Sequence, residues 1–400
     1  MKSKNKWLAA ITCGRWQVSG IRKARNLGYK VVGFDGDATA SGAQVCDRFF
    51  PVDIKDHRLV IDCLVQAGIT PVGAVSICSE AGVVTAAYVR KYFSLKGALP
   101  EVAIALTNKA HMRRKWRSSG FLEPHFEVVS SLDEALQVCR GFSAPFMIKP
   151  VDSAGSRGVG KCESRDQAIP LVKAAFQASR CGQVIIESFL TGDEHAAEVF
   201  LSEGKLCLLS LTKKKHLDRN GGVVACEIYS AEVKTARFEG VRLYLEKAFL
   251  ALGYRDGPGH AEIMIDGDAV SLIEVGGRGA GFCLSDRFVP ATTGVDFSLQ
   301  VIKDAVGEDL DLSKKYNKYG VLRFFPTTEG VVKKIRGFET LPSNMMEGGS
   351  FVNEGDSVSE ANSDADRLGY LISSGDRSDE VWQRLEETSK SISFEIEKSR

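Results

Sequence analysis

His260-Ala-Glu262-Ile-Met-Ile-Asp-Gly267-Asp268-Ala-Val-Ser-Leu-Ile-Glu274-Val-Gly-Gly-Arg278-Gly-Ala-Gly281 is the stretch on which the reading of the chain turns. Two apolar segments flank Gly267 and Asp268, which is the pattern of a β-hairpin. Ile263, Ile265, Leu272 and Ile273 mark the element as half buried and speak against a surface hairpin with two unrelated acids. A loop of about three residues puts Glu262 directly opposite Glu274, both carboxylates on one face, whereas a slip of one residue separates them. Facing like charges destabilise a sheet unless something neutralises them. A divalent cation does so, and an all-oxygen pair that keeps water and phosphate ligands suits Mg²⁺. Arg278, just beyond, is placed to hold a phosphate or carboxylate by a bidentate pair.

Upstream, Phe146-Met-Ile-Lys149-Pro ends an apolar strand with a lysine, immediately before the loop Asp152-Ser-Ala-Gly-Ser-Arg-Gly158. The run Gly155-Ser-Arg-Gly-Val-Gly-Lys161-Cys162 nearly spells a P-loop. Cys162 replaces the hydroxyl that would bind Mg²⁺, and residues 159–163 read as strand where a P-loop needs a helix. Strand, glycine loop, strand is the reading. Such a loop folds over phosphates through its backbone N–H groups, with Ser153, Ser156, Arg157 and Gly158 in it. Further on, Val184-Ile-Ile-Glu187-Ser-Phe189 is an apolar strand with an acid near its end, and Glu194 opens a strand that also bears Glu198.

At the N-terminal side, a strand at 7–12, a helix at 18–27 stopped by Gly28 and a strand at 30–34 make a βαβ unit. A helix at 60–67, a strand at 73–77 and a helix at 81–93 extend it to a parallel sheet of about four strands. Gly14 with Asp35 suggests a dinucleotide site and hence an NAD-dependent oxidoreductase as an alternative. The bulky Trp16, however, stands where a pyrophosphate needs bare backbone. A charged helix is predicted at 107–120, a strand at 125–129, and a helix opened by Ser131 with Glu134 as a capping box. Residues 183–275 are mainly strand around one helix at 238–252. Strands at 320–325, 330–335 and 368–373, a polar turn at 362–366 and a helix at 378–389 complete the chain.

The 400 residues carry 52 Lys+Arg against 51 Asp+Glu, so no global field recruits nucleic acid or an anionic membrane. No apolar run near the N-terminus approaches the roughly 20 residues of a membrane span, and a cytoplasmic protein is expected. Ten cysteines without a C-x-x-C pair and six histidines without zinc-site spacing leave zinc and disulfide frameworks unsupported.

These residues resemble the ATP-grasp carboxylate–amine ligases, and within them the L-amino-acid ligase branch that makes dipeptides. The resemblance implies an α/β plus α+β fold: a Rossmann-like pre-ATP-grasp domain (1–105), a two-part ATP-grasp domain (106–305, in halves 106–186 and 187–305) and a small C-terminal α+β cap (306–400). It implies ATP with Mg²⁺, Mn²⁺ being an acceptable substitute, and small-molecule carboxylate and amine substrates, with no nucleic acid or membrane partner. A homodimer through the first domain follows family precedent. Position by position, Lys109 and Lys149 match the nucleotide lysines, and 152–158 the phosphate loop. Glu187 and Phe189 match the adenine-edge contacts, Glu194 the ribose acid, Glu262 and Glu274 the metal carboxylates, and Arg278 the arginine at the acyl phosphate. Glu80 and His216 match positions used for the substrate amino group and the reacting carboxylate, and the run to Gly281 resembles the amino-acid-ligase branch. Gly276 stands where many ATP-grasp enzymes have Asn, leaving a second metal fewer protein ligands. A non-catalytic ATP-binding protein of the same fold is the other alternative; the intact acid pair with Arg278 speaks against it.

Overall fold

Trp7–Ile11, Lys30–Asp35, Arg48–Pro51 and Pro71–Val75 form a parallel sheet in the spatial order third, second, first, fourth, in a computed structural model. The structure describes residues 6–121, 123–217, 224–342, 346–360 and 363–398. Asn362, the first residue of the predicted polar turn, lies outside them. The strand Arg48–Pro51 is absent from the sequence reading. At four residues, bounded by Arg and Pro at the sheet edge, it is too short to show a period.

A four-stranded antiparallel sheet follows, in the order Phe126–Val129, Val184–Ser188, Phe146–Pro150, Gly160–Cys162. Phe146–Pro150 pairs antiparallel with Gly160–Cys162, so the glycine loop joins two strands and is not a P-loop. The helices Leu132–Cys139 and Ala168–Ala178 bury their apolar faces against this sheet. Ser131 Oγ accepts from the Glu134 N–H as predicted, but Glu134 accepts from the N–H of Ser130, one residue before the expected partner.

An eight-stranded antiparallel sheet carries the hairpin strands at one edge and runs in the order Ala269–Gly276, Gly257–Asp266, Asp193–Ser202, Lys205–His216, Ala225–Ser230, Tyr319–Pro326, Arg367–Gly375, Met346–Ser350. The last three strands come from the C-terminal region, which therefore continues this sheet; Gly330–Arg336, Ser357–Val358 and Ser393–Glu397 make a separate small sheet. Ile263 and Leu272 are fully buried beneath the hairpin, with Val241, Leu245 and Phe249 of the helix Thr235–Ala251. Each such side chain contributes roughly 1.5–3 kcal/mol by leaving water, which fixes which face of the hairpin looks into the core.

Candidate active site

The hairpin pairs Glu262 with Glu274, as the sequence reading requires, but by another route. Asp266 pairs with Ala269, so the turn is the two residues Gly267-Asp268, with Gly267 at φ +54°, instead of about three. A two-residue turn continued in register would set Glu262 against Ile273. Instead Ile263 pairs with Leu272 and Glu262 with Glu274, which leaves Ile273 as a β-bulge. The bulged carbonyl is not wasted: Arg113 Nη2 donates to Ile273 O at 2.7 Å. The bulge thus returns the second carboxylate to the face of the first.

The charge repulsion expected between these acids is offset by lysines of the chain itself. Lys109 Nζ lies 2.8 Å from Glu274 Oε2 and donates to Ser153 O at 2.8 Å. Lys214 Nζ donates to Glu262 Oε1 and lies 2.7 Å from Glu194 Oε1, while His216 Nε2 sits 3.2 Å from Glu194 Oε2. Burial opposes charge on Glu262, yet Lys214 and His260 hold its carboxyl well below the usual range. His260 is buried too, but Glu198, 2.5 Å from its Nδ1, together with Glu262 raises it to about 9, so it is a cation at neutral pH. Glu198 also accepts from Ser285 Oγ and from the Ala280 N–H, tying the segment after the hairpin back to the sheet.

Glu187, 1% exposed, is held by Arg113 Nε at 2.6 Å and Lys149 Nζ at 2.7 Å. Burial alone would raise its pKa; the two cations outweigh burial and bring it down to about 2. Lys149 is thereby aimed from the end of its strand. In the loop, Gly158 stands at φ +71° where a Cβ would meet Ala178 Cβ at 2.6 Å, so only glycine fits. The loop base is clamped by Asp152, whose carboxylate accepts from the N–H groups of Arg180 and Cys181. Phe189 lies under Lys161, with Nζ 4.8 Å from the ring centre. At the other end, Arg278 Nη2 pairs with Glu80 Oε2 at 3.2 Å, and burial raises Glu80 despite that arginine.

One cleft of about 690 Å³ brings together Glu80, Lys109, Lys149, Glu187, Phe189, Glu194, His216, Glu262, Glu274, Arg278 and Gly281 with loop residues 153–157; Asp152 and Gly158, at the two ends of the loop, lie outside it. Sequence reasoning missed Lys214 and the role of Arg113. Lys214 was findable: it shares a strand face with His216, two residues on, while Lys213 and Lys215 point away. Asp35, the acid of the dinucleotide reading, is occupied: its carboxylate accepts from the N–H of Cys13 at 2.7 Å and of Asp37 at 3.1 Å. Trp16 packs edge-on to Phe351 and beside Phe282, with ring centres 5.0 and 5.1 Å away. No helix among the described residues is long and apolar enough to cross a membrane.

Residues 142–286 match the ATP-grasp domain, and residues 323–397 match the L-amino acid ligase C-terminal domain 2. Dapdiamide A synthase of Enterobacter agglomerans is 29% identical over 187 residues, 45% of this chain and 44% of that protein, so the chain spans less than half the length of this relative. The L-arginine-specific L-amino acid ligase of Bacillus subtilis is 23% identical over 332 residues, 77% of this chain and 76% of that one. In fold, the chain superposes on the L-amino acid ligase of Bacillus licheniformis with a TM-score of 0.84 at 19% identity, covering 99% of this chain and 100% of the other. Nothing in these matches supports an oxidoreductase. With Lys149, the glycine loop and the acid pair all on residues 142–286, the chain carries an ATP-grasp domain, followed over residues 323–397 by a segment that matches the L-amino acid ligase C-terminal domain 2.

Proposed function

We propose that this chain joins the carboxylate of an amino acid to an amine at the expense of ATP, through an acyl phosphate, giving an amide or dipeptide with ADP and phosphate. The observation that carries the reading is the facing pair Glu262 and Glu274 on the cleft wall, set on one face by the bulge at Ile273.

Two carboxylates that leave phosphate oxygens and water to complete the shell are an all-oxygen donor set that fits Mg²⁺. When bound, the ion supplies charge neutralisation for the outer phosphates. In this reading Lys149 and Lys109 hold the phosphates, and the loop with Ser153, Ser156 and Arg157 closes over them. Phe189 with the strand end at Glu187 borders the base, and Glu194 takes the ribose. The substrate carboxylate, held by Arg278, attacks the γ-phosphorus, and ADP leaves. The amine nitrogen then attacks the acyl carbon, phosphate leaves, and the nitrogen gives up a proton. Glu80 faces the amino group of the activated acid, and His216 borders the reacting carboxylate. Positioning and electrostatics do the work, so no nucleophilic side chain is required.

The test is a trap. With one amino acid, Mg-ATP and hydroxylamine, a hydroxamate forms while ADP accumulates. AMP and pyrophosphate in place of ADP would overturn the acyl-phosphate route.

A further inference from the structure

Two cysteines meet in the parallel-sheet domain, just ahead of Trp16 in the chain. Cys13, after the strand Trp7–Ile11, and Cys46, before the strand Arg48–Pro51, place their sulfurs 4.0 Å apart. Both sulfurs sit over Gly33 of the strand between. A Cβ there would meet the Cys46 sulfur at 2.5 Å and the Cys13 sulfur at 2.6 Å, so only glycine seats the pair. Cys13 is fully buried, whereas Cys46 is half-buried. The neighbouring Cys46 and burial push the Cys13 thiol well up, so Cys46 is the sulfur that an oxidant meets first.

The turn that carries Cys13 is strained and tied to the cleft. Thr12 stands at φ +85°, an outlier for a β-branched residue, and its buried hydroxyl has no hydrogen-bond partner among the described residues. Such a conformation persists only where its surroundings impose it. Here Asp35 accepts from the Cys13 N–H at 2.7 Å, and the Cys13 carbonyl accepts from the N–H of Gly42 at 2.6 Å. Next in the chain come Trp16, on the cleft wall, and the buried Gln17. Gln17 Oε1 accepts from the N–H groups of Ile77 and Cys78 at 3.1 and 3.3 Å, and Ile77 O accepts from the N–H of Gly279 at 2.9 Å. The segment that presents Glu80 and the backbone beside Arg278 are thus anchored to the turn after Cys13. Trp16 packs on Phe282, whose ring centre lies 4.9 Å from the guanidinium carbon of Arg367 on the same wall.

We propose that Cys13 and Cys46 form a redox modification site: a peroxide links them as a disulfide, and the bond shifts the turn that supports Trp16 and Glu80. The Cys46 sulfur attacks a peroxide oxygen; the O–O bond breaks, a sulfenic acid forms and water leaves. The Cys13 sulfur then attacks that sulfur, the S–O bond breaks, and a second water carries off the thiol proton. Two thiols lose two electrons, and hydrogen peroxide becomes two waters. Sulfurs 4.0 Å apart must close to about 2 Å, and the turn, tied on both sides of Cys13, passes that movement to Trp16 and Gln17. The reduced form is the active one, and a dithiol restores it.

The experiment compares the protein after dithiothreitol with the protein after excess hydrogen peroxide. A non-reducing peptide map of the peroxide-treated protein should show the segments containing Cys13 and Cys46 joined. Amide exchange at residues 77–80 should be at least fivefold faster than in the reduced form. Amino-acid-dependent ADP release, the one readout that rests on the ligase reading, should fall at least fivefold and return with dithiothreitol, while peroxide changes Cys46→Ser less than twofold. A wild-type map without the Cys13–Cys46 link overturns the proposal, as does a mapped link that leaves exchange at 77–80 unchanged. Equal loss of activity in Cys46→Ser traces the effect to another thiol, such as the exposed Cys181, and overturns it too. Absence of ADP release with every amino acid overturns the ligase reading instead, and the map and the exchange still decide on the pair.

Discussion

The two ends of the cleft use the same residue types to opposite effect. At one end, Glu187 is enclosed, with both carboxylate oxygens taken by Arg113 and Lys149. At the other, the Glu274 and Glu262 side chains keep 16% and 22% of their surface, and Arg278 Nε has no partner among the described residues. A buried acid whose oxygens are all matched is a frame: it aims Lys149 and locks a helix to a sheet. Acids and guanidiniums left partly open are where a ligand completes the network.

Glu274→Gln breaks the open end and gives the largest effect. The amide keeps the size but loses the charge that a cation requires, so turnover should fall about a thousandfold or more, near 4 kcal/mol of barrier, with little change in Tm. Rates within tenfold of wild type would remove Glu274 from the metal pair. Glu187→Gln breaks the closed end, where the effect should appear in stability. Two buried cations lose their counterion, at a cost of about 3 kcal/mol or more, read as a lower denaturant midpoint. Its pH dependence has a definite sign. Because the folded-state pKa is depressed to about 2 from an ordinary 4.5, this contribution is present above pH 4.5 and is lost as pH falls toward 2. The wild type should therefore lose stability over that window more steeply than the variant; parallel curves would refute the frame reading.

Arg278→Lys tests the open guanidinium more gently. Charge remains and the bidentate fork goes, so kcat/KM for the activated acid should drop roughly 10- to 100-fold, about 1.4–2.7 kcal/mol, without a stability change. The smallest effect concerns the loop that bridges the two ends. Residues 153–158 are Gly, Ala or Ser apart from Arg157, so phosphate contacts must drive their ordering, and Mg-ATP should slow their amide exchange about tenfold. Identical exchange with and without Mg-ATP would show that the loop is part of the frame.

Local pattern alone carried much of this. Alternating apolar residues around Gly267-Asp268 announced the hairpin, Cys162 and the strand that carries it excluded a P-loop, and Trp16 argued against a dinucleotide. Each of these rests on neighbours a few residues apart, where side-chain period and turn chemistry act. What only the tertiary structure decided involves partners far apart in the chain. The Ile273 bulge has no mark in the sequence and is capped by Arg113, 160 residues away. Lys214 reaches Glu262 across 48 residues, and Arg367 arrives from a C-terminal strand that joins the same sheet. A charged residue at a strand position reads the same whether its face meets solvent or a cleft. Which of the two it meets is set by the packing of distant apolar surfaces, and that packing follows from the whole chain at once.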